Sequence, residues 1–304
     1  MLTKKQFEQI QKTTGFNLDL LEKVYHLTRT LNKIQEHTKL KENLIIKGGT
    51  ALNFIFFPVS RLSIDLDFDY IGEISKEKMV KQRKYIEKYI KEISSQLDYT
   101  LKDRGSSYII LRQSLQYITI RNTKDHVKIE INHLDRIPLG NIVYKKFPLI
   151  FPDIKPFSIK TYSLEELTAQ KSLACLNRSE PRDLYDLYIL SKQKISIEQI
   201  QKFATIYFCM SSDNIKPDIS KIKDFDLDKI QQELQQFIRN SEKLNSIKIR
   251  AEASIFLEKI VNFNKNQRKF IETFYKEKKI NPDLIDIDRT KLIQHPALLH
   301  KINE

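Results

Sequence analysis

The sequence of 304 residues is poor in cysteine, and it has no long apolar segment. Two cysteines occur, Cys175 and Cys209, and their spacing offers neither a disulfide framework nor a zinc site, so we expect a cytoplasmic protein. The first residues are polar and lack the apolar core of a signal peptide. The uncharged run from Gly48 to Ser60 is well short of the roughly 18 to 20 residues that span a bilayer, so we expect no membrane span.

Acidic residues are also fewer than basic ones. The chain carries 52 Lys and Arg against 39 Asp and Glu, a formal net charge of +13, which favours a polyanionic partner. Hydrophobic residues make up 40% of the chain, too many for a disordered basic tail. The composition therefore predicts a globular protein.

Glycine is scarce, with six residues in all, and two of them are adjacent at Gly48 and Gly49. They follow Leu44–Ile46, a short run typical of a strand, and we expect a helix to begin near Thr50. Bare backbone N–H groups at the start of a helix make an anion site, and glycine lets phosphate oxygens approach closely. This turn is our candidate for the triphosphate site of a nucleotide.

Residues 61–70 alternate strictly, which predicts a strand with one apolar and one polar face. Asp65 and Asp67 leave the polar face together, with Cα atoms roughly 6 to 7 Å apart. Two carboxylates so placed can share divalent cations, and a pair of Mg²⁺ ions supports phosphoryl transfer. Glu130, on a later strand, is the candidate third ligand, whereas Asp69 is expected to lie past the pocket.

Further along the chain, helices are predicted from a capping box at Ser163 and from Pro181 at a first-turn position. Lys171 lies on the first helix and could reach the β- and γ-phosphates as a mobile point charge. Asp183 and Asp186, three residues apart on the second helix, share a face, and one of them would hold the lysine in place.

The order of the predicted elements indicates an α+β protein. Strand-like runs at residues 108–112, 117–121 and 127–134 suggest an antiparallel meander, and every patterned segment after about residue 195 is helical. We predict a catalytic domain over residues 1–200, with its core at about 40–190, and a helical bundle over residues 201–304. The predicted linker is residues 211–222.

Each of these features alone has a plainer interpretation. An Asp-x-Asp on a strand is more often a solvated polar face, a Gly-Gly is usually just a turn, and Glu130 could be a solvated strand glutamate. Lys171 could be an ordinary helix lysine, and Asp183 and Asp186 could belong to a structural ion-pair cluster. Their order along the chain favours one combined site for nucleotide chemistry.

Four stretches together resemble the AbiEii/AbiGii toxin family of the DNA polymerase β-like nucleotidyltransferase superfamily, over roughly residues 40–190. The matching stretches are Lys47 to Thr50, Arg61 to Phe68, Lys128 to Ile131 and Lys171 to Asp186. The resemblance implies a nucleotidyltransferase fold with a mixed or antiparallel central sheet flanked by helices. It also implies Mg²⁺, an NTP substrate and a cognate antitoxin, and some members of the family transfer nucleotides to the 3′ end of tRNA.

Carried over by this resemblance, the candidate catalytic residues are Asp65, Asp67, Lys171 and Asp186. The candidate metal ligands are Asp65, Asp67 and Glu130. The candidate nucleotide-binding residues are Lys47, Gly48, Gly49, Thr50, Arg61, Ser63, Arg182 and Asp183.

The leading hypothesis is therefore a toxin that transfers an NMP from an NTP to an RNA hydroxyl, at the 3′ end of tRNA. Alternatives are transfer to a small molecule or to a protein side chain, or a catalytically degenerate fold that binds nucleic acid. We expect the RNA backbone to meet the lysine-rich helix at residues 76–91, Lys145 and Lys146, and the basic residues at 265–269.

Overall fold

The computed structural model describes residues 1–148, 150–211 and 218–304. Residues 212–217 of the predicted linker lie outside the described residues. The strands are β1 (Leu44–Lys47), β2 (Asp65–Tyr70), β3 (Thr100–Asp103), β4 (Ile110–Ile118), β5 (Lys124–Asn132), β6 (Ile142–Lys146) and β7 (Ser158–Tyr162). The helices are α1 (Lys4–Thr14), α2 (Leu18–Glu36), α3 (Thr38–Asn43), α4 (Gly48–Thr50), α5 (Lys76–Gln96), α6 (Leu164–Arg178), α7 (Pro181–Leu190), α8 (Ile197–Met210), α9 (Ser220–Lys223), α10 (Leu227–Gln235), α11 (Ser246–Val261), α12 (Lys265–Glu277), α13 (Arg289–Gln294) and α14 (Pro296–Asn303).

The strands form one mixed sheet in the order β3-β4-β5-β2-β1-β7-β6. The pairs β1·β2, β3·β4 and β4·β5 are antiparallel, whereas β2·β5 and β1·β7 are parallel. The predicted α+β class and the predicted mixed sheet with flanking helices are therefore confirmed.

One face of the sheet is apolar and buried. It is formed by alternate residues of three neighbouring strands, namely Leu66, Phe68, Tyr70, Val127, Ile129, Ile131, Leu111, Leu115 and Tyr117. Helix α2 packs against β2 and β5, and α5 packs against α2 and β3. The other face carries the polar side chains of the same strands, among them Asp65, Asp67, Lys128, Glu130 and Arg112.

Two predicted strand boundaries were wrong. Residues 108–112 and 117–121 belong to the single strand β4, because Gln113 and Ser114, which suggested a break, are buried within the sheet. The strand that carries the aspartates begins at Asp65 rather than at residue 61. Arg61 and Ser63 precede it and are buried against the glycine turn.

The chain divides into two compact units. Unit 1 comprises Met1–Arg136, Val143–Thr161 and Gln236–Glu242, and it holds the sheet apart from Ile142 and Tyr162. Unit 2 comprises Ile137–Ile142, Tyr162–Gln235 and Lys243–Glu304. The predicted boundary between residues 200 and 201 falls within α8, inside unit 2. The domain assignment made from the sequence remains a prediction.

Unit 2 is built from helices. Helix α6 packs against α7 and α8, and α11 packs against α7, α8 and α10. The core between them is formed by fully buried apolar side chains, among them Leu184, Leu187, Ile200, Ala204 and Leu257. In the described parts of both units, no helix is long and apolar enough to cross a membrane.

Candidate active site

The glycine turn follows β1 directly. Gly48 begins α4, and a π-helical turn continues the helix over Ala51–Phe56. The backbone of Gly48 has a φ of +70°, a left-handed conformation that favours glycine. A Cβ atom on Gly48 would lie 2.6 Å from Oδ2 of Asp67, so any side chain here would displace that carboxylate. The turn therefore requires glycine both for its backbone conformation and for its approach to Asp67.

The second glycine explains the residues that precede β2. A Cβ atom on Gly49 would lie 2.7 Å from Nη2 of Arg61 and 3.0 Å from Oγ of Ser63. Arg61 is 2% exposed and donates from Nη1 to the carbonyl oxygen of Leu62, 2.9 Å away. Arg61 and Ser63 thus pack on the turn, and the two motifs found in the sequence meet in unit 1.

Thr50 connects the turn to the first aspartate. Its buried hydroxyl donates to the backbone carbonyl oxygen of Asp65 at 2.6 Å. That hydrogen bond fixes the start of β2 against the helix that begins at Gly48. The structure therefore gives the Thr50 side chain a positioning contact with Asp65, and its nucleotide-binding role remains a prediction.

A row of charged residues crosses the sheet at the level of Asp67. Lys47 on β1 and Glu130 on β5 are its register partners, and Arg112 on β4 is the partner of Glu130. Residues opposite one another on adjacent strands present their side chains on the same face. Nε of Arg112 lies 2.7 Å from Oε2 of Glu130. Glu130 is therefore beside Asp67 in the sheet, as expected, but its carboxylate is held by an arginine.

Asp69 has a defined role that the sequence did not reveal. It is fully buried on β2, and its Oδ1 lies 2.6 Å from Nζ of Lys47. Burial lowers the pKa of Lys47, but the nearby carboxylates of Asp69 and Asp135 outweigh this, so that the pKa lies above its ordinary value. Lys47 is thus a permanently charged counter-ion beside the aspartate strand.

The donor set is suited to a divalent cation that also takes ligands from its substrate. Asp65 and Asp67 are half-buried on one face of β2, and the lack of a side chain at Gly48 lets the Asp67 carboxylate pack closely against the glycine turn. Among residues 1–148, 150–211 and 218–304, no three His, Cys, Asp or Glu side chains are gathered closely enough to hold a metal ion by themselves. Mg²⁺ commonly takes one or two carboxylates together with substrate phosphates, which this pair fits.

The other candidate residues lie in unit 2, on α6 and α7. Nζ of Lys171 is 3.0 Å from Oδ1 of Asp183 and 2.9 Å from Oδ2 of Asp186, and the lysine side chain is 5% exposed. The lysine is therefore fixed between two carboxylates instead of being mobile. Arg182, at the first turn of α7, is half-buried, and its predicted contact with the nucleotide remains a prediction.

Arg178 completes this cluster, and it was not among the predicted site residues. Its Nε lies 2.6 Å from Oδ2 of Asp183, and its Nη2 lies 2.9 Å from Oδ1. Burial raises the pKa of Asp183, but the charges of Lys171 and Arg178 outweigh it and hold the pKa well below its usual range. The sequence did contain a signal for this contact. Arg178 lies in the last turn of α6, shortly before α7 begins at Pro181, and an arginine there can reach the first turn of the following helix.

These two arrangements, a carboxylate strand beside a glycine turn and a buried lysine on a helix, define a candidate nucleotidyltransferase. A family model for the nucleotidyl transferase AbiEii toxin, of type IV toxin–antitoxin systems, matches residues 29–259. The chain therefore belongs to the AbiEii family of nucleotidyltransferase toxins.

Solved structures of low sequence identity share the fold. The chain is similar to MenT4, a nucleotidyltransferase toxin from Mycobacterium tuberculosis H37Rv, with a TM-score of 0.66 and 14% identity over 98% of this chain and 99% of that one. It is also similar to a putative nucleotidyltransferase from H. pylori, with a TM-score of 0.52 and 16% identity over 81% and 96% of the two chains. A third similar structure is JHP933 from Helicobacter pylori, with a TM-score of 0.50 and 17% identity over 87% and 100%. No curated protein sequence matches the chain significantly.

Proposed function

We propose that this nucleotidyltransferase transfers an NMP from an NTP to a hydroxyl of RNA, at the 3′ end of tRNA, and that it requires Mg²⁺. The observation that carries the proposal is the half-buried pair of Asp65 and Asp67 on one face of β2, with the Asp67 carboxylate packed closely against Gly48 of the glycine turn. The formal net charge of +13 supports a polyanionic acceptor.

In this proposal Asp65 and Asp67 hold the Mg²⁺ ions, with Glu130 as a third carboxylate beside Asp67. Bound Mg²⁺ would supply Lewis-acid stabilisation of the charge on the reacting phosphate and on the leaving pyrophosphate. Thr50 keeps Asp65 in place by donating a hydrogen bond to the backbone carbonyl oxygen of Asp65. Lys47 offsets part of the negative charge of β2 through its ion pair with Asp69.

The nucleotide is bound through its triphosphate. The backbone N–H groups of Gly48 and Gly49 face the anion at the start of the helix, and buried Arg61 and Ser63 keep the turn in shape. The role of Lys171 at the triphosphate stays a prediction from the sequence, and within unit 2 its ammonium group is held by Asp183 and Asp186. The contact of Arg182, in the first turn of α7, with the nucleotide is likewise a prediction from the sequence.

The test is incubation of the purified protein with bulk tRNA, α-labelled NTPs and Mg²⁺. We expect label in the tRNA with wild-type protein and none with Asp67→Asn. Asp103→Asn is the matched control, because Asp103 is an exposed aspartate on the edge strand β3 of the same sheet. Label in protein or in a small molecule would show that the acceptor is not RNA, and no label in any acceptor would contradict the enzymatic proposal.

Membership of a type IV toxin–antitoxin family supports two further proposals, a cognate antitoxin and action in the cytoplasm. Cys175 and Cys209 are both free and buried, which suits a reducing compartment. We expect expression in a bacterium to slow growth and Asp67→Asn to relieve the effect. Equal growth of the two strains would count against a toxic activity of this site.

A further inference from the structure

The carboxylate face of the sheet continues beyond the aspartates toward the edge strand β3. Asp65 is the register partner of Lys128 on β5, Lys128 is the partner of Ser114 on β4, and Ser114 is the partner of Lys102 on β3. Register partners present their side chains on the same face. Lys128 and Lys102 therefore share the face of Asp65.

A second row runs parallel to the first. Asp67 is followed across the sheet by Glu130 and then by Arg112. The backbone N–H of Arg104 donates to the carbonyl oxygen of Arg112 at 2.9 Å, which extends the pairing of β3 and β4 by one residue. The alternation from Lys102 places Arg104 on the same face. Burial chiefly lowers the pKa of His126 on that face, and the charges of Lys23, Arg104 and Lys128 add to the lowering.

We call Lys102, Arg104, Arg112 and Lys128 the basic track. Lys102, Arg104 and Lys128 are exposed, and none of the three forms an ion pair with any residue that the structure describes. Arg112 is the exception, because it is paired with Glu130 at 2.7 Å. The track thus presents three exposed cations on the same face of the sheet as the two aspartates, with Lys128 next to Asp65 and the other two at β3.

The dimensions suit a strand of nucleic acid. Adjacent strands lie about 4.8 Å apart, so the three steps from β2 through β5 and β4 to β3 span about 14 Å. A polynucleotide whose terminal hydroxyl lies at Asp65 and Asp67 can therefore carry its preceding phosphates along the basic track. The three exposed cations complement the evenly spaced phosphates of a polynucleotide backbone, so the occupant that we propose is a strand of nucleic acid.

We propose that the basic track binds the backbone phosphates of the RNA acceptor strand. The proposal rests on the proposed function, since it places the acceptor whose hydroxyl that function uses. It also differs from the expectation that the lysine-rich helix α5 holds the RNA. Helix α5 packs with α2, which covers the apolar face of the sheet, so its lysines belong to the other side of unit 1 from the aspartates.

The test compares two double variants of the full-length protein for binding bulk tRNA without NTP, by fluorescence anisotropy over a series of salt concentrations. Lys102→Ala with Lys128→Ala removes two cations of the track. Lys81→Ala with Lys84→Ala is the matched control, because both lysines are exposed on α5. The logarithmic slope of affinity against salt should fall by about 0.7 for each lost contact with a single-stranded phosphate, and the control should keep the wild-type slope.

Three results would overturn the proposal. The track variant could bind tRNA with the wild-type affinity and salt slope. It could bind tRNA normally but lose affinity for polyglutamate, which would make the track a surface for an acidic protein. It could keep tRNA binding but lose affinity for NTP, which would assign the track to the nucleotide.

Binding without NTP separates this proposal from the proposed function. If wild type binds tRNA through the basic track and transfers no label to it, the proposed reaction is wrong and the proposal that the track binds RNA is supported. If wild type transfers label and the track variant binds tRNA as wild type does, the proposed reaction is supported and the proposal that the basic track binds RNA is wrong. Equal thermal melting of wild type and both double variants would exclude a folding defect as the cause.

Discussion

The charged clusters of the two units differ in how deeply their carboxylates are buried and in how many cations contact them. In unit 1 the carboxylates of Asp65 and Asp67 are half-buried on a sheet face, and Lys47 pairs with their neighbour Asp69. In unit 2 two cations, Lys171 and Arg178, meet two buried carboxylates at distances of 2.6 to 3.0 Å. The aspartates of unit 1 keep partial contact with solvent, whereas the carboxylates of unit 2 are buried together with their cations.

The difference shows that similar residue types serve different purposes in the two units. An aspartate that is half in water can exchange its hydration for a metal ion at small cost to folding. An aspartate buried with its cation contributes to stability, because removing either partner leaves an uncompensated charge in the interior. Substitutions of Asp65 or Asp67 should therefore lower activity more than stability, whereas substitutions of the buried aspartates in unit 2 should lower stability more than activity.

The largest expected effect on stability comes from Asp183→Asn. This change leaves Lys171 and Arg178 short of a buried carboxylate, so the free energy of unfolding should fall by about 3 to 5 kcal/mol. Chemical denaturation measures it directly. Asp228→Asn, at an exposed aspartate of α10, should change the same quantity by no more than about 0.5 kcal/mol, and equal effects of the two changes would contradict the comparison.

The same variant gives a pH test with a definite sign. The pKa of Asp183 lies below its unfolded value of about 3.9, so its ionised form adds stability at higher pH and that contribution is lost as pH falls below about 4. The difference in melting temperature between wild type and Asp183→Asn should therefore be constant near neutral pH and should narrow below about pH 4. A difference that stays constant down to about pH 3 would show that the effect is not ionic.

The next effect concerns Asp67→Asn. The substitution keeps the shape of the side chain but removes the charge of a proposed metal ligand, so turnover should fall by more than about 100-fold. The free energy of unfolding should change by less than about 1 kcal/mol, since the side chain is half-buried. Near wild-type turnover would remove Asp67 from the proposed site.

A smaller effect is expected at the glycine turn. Alanine in the left-handed conformation of Gly48 costs about 1 to 2 kcal/mol, and its Cβ would also push against Oδ2 of Asp67. Gly105→Ala is the matched control, because Gly105 has a φ of +80° and a Cβ added there would meet nothing within 4 Å. We expect both variants to lose stability and Gly48→Ala alone to lose activity; equal activities would mean that the contact with Asp67 is unimportant.

The smallest effect should come from Thr50→Val. The change removes the hydroxyl that donates to the carbonyl oxygen of Asp65, at a cost of about 1 kcal/mol. Thr50→Ser keeps the hydroxyl and should retain more of both stability and activity. Identical behaviour of the valine and serine variants would show that the hydrogen bond does not position β2.

Much of the fold followed from local patterns in the sequence. The alternation on β2 identified its polar face, and the Gly-Gly pair identified the turn, because both signals lie within a few residues. The single strand β4 was split in two, since the burial of Gln113 and Ser114 depends on neighbouring strands that the local sequence does not reveal. The order of the strands in the sheet likewise depends on long-range pairing.

The candidate residues were identified better than their contacts. The sequence placed Lys171 near Asp183 and Asp186, but it could not show that the lysine is buried or that Arg178 shares Asp183. Asp69 was set aside because its sequence neighbours Phe68 and Tyr70 are aromatic, and its contact with Lys47 comes from the pairing of β1 with β2, which the local sequence does not show. Tertiary pairing thus decides which cation each of these carboxylates meets, as Lys47 does for Asp69 and Arg178 does for Asp183.

The most direct test measures turnover and the free energy of unfolding for Asp67→Asn and Asp183→Asn side by side, with labelled NTP and tRNA. We predict that Asp67→Asn folds with nearly wild-type stability and has lost transfer, whereas Asp183→Asn has lost about 3 to 5 kcal/mol of stability. An Asp67→Asn protein that is strongly destabilised yet still transfers label would contradict the roles assigned to the two clusters.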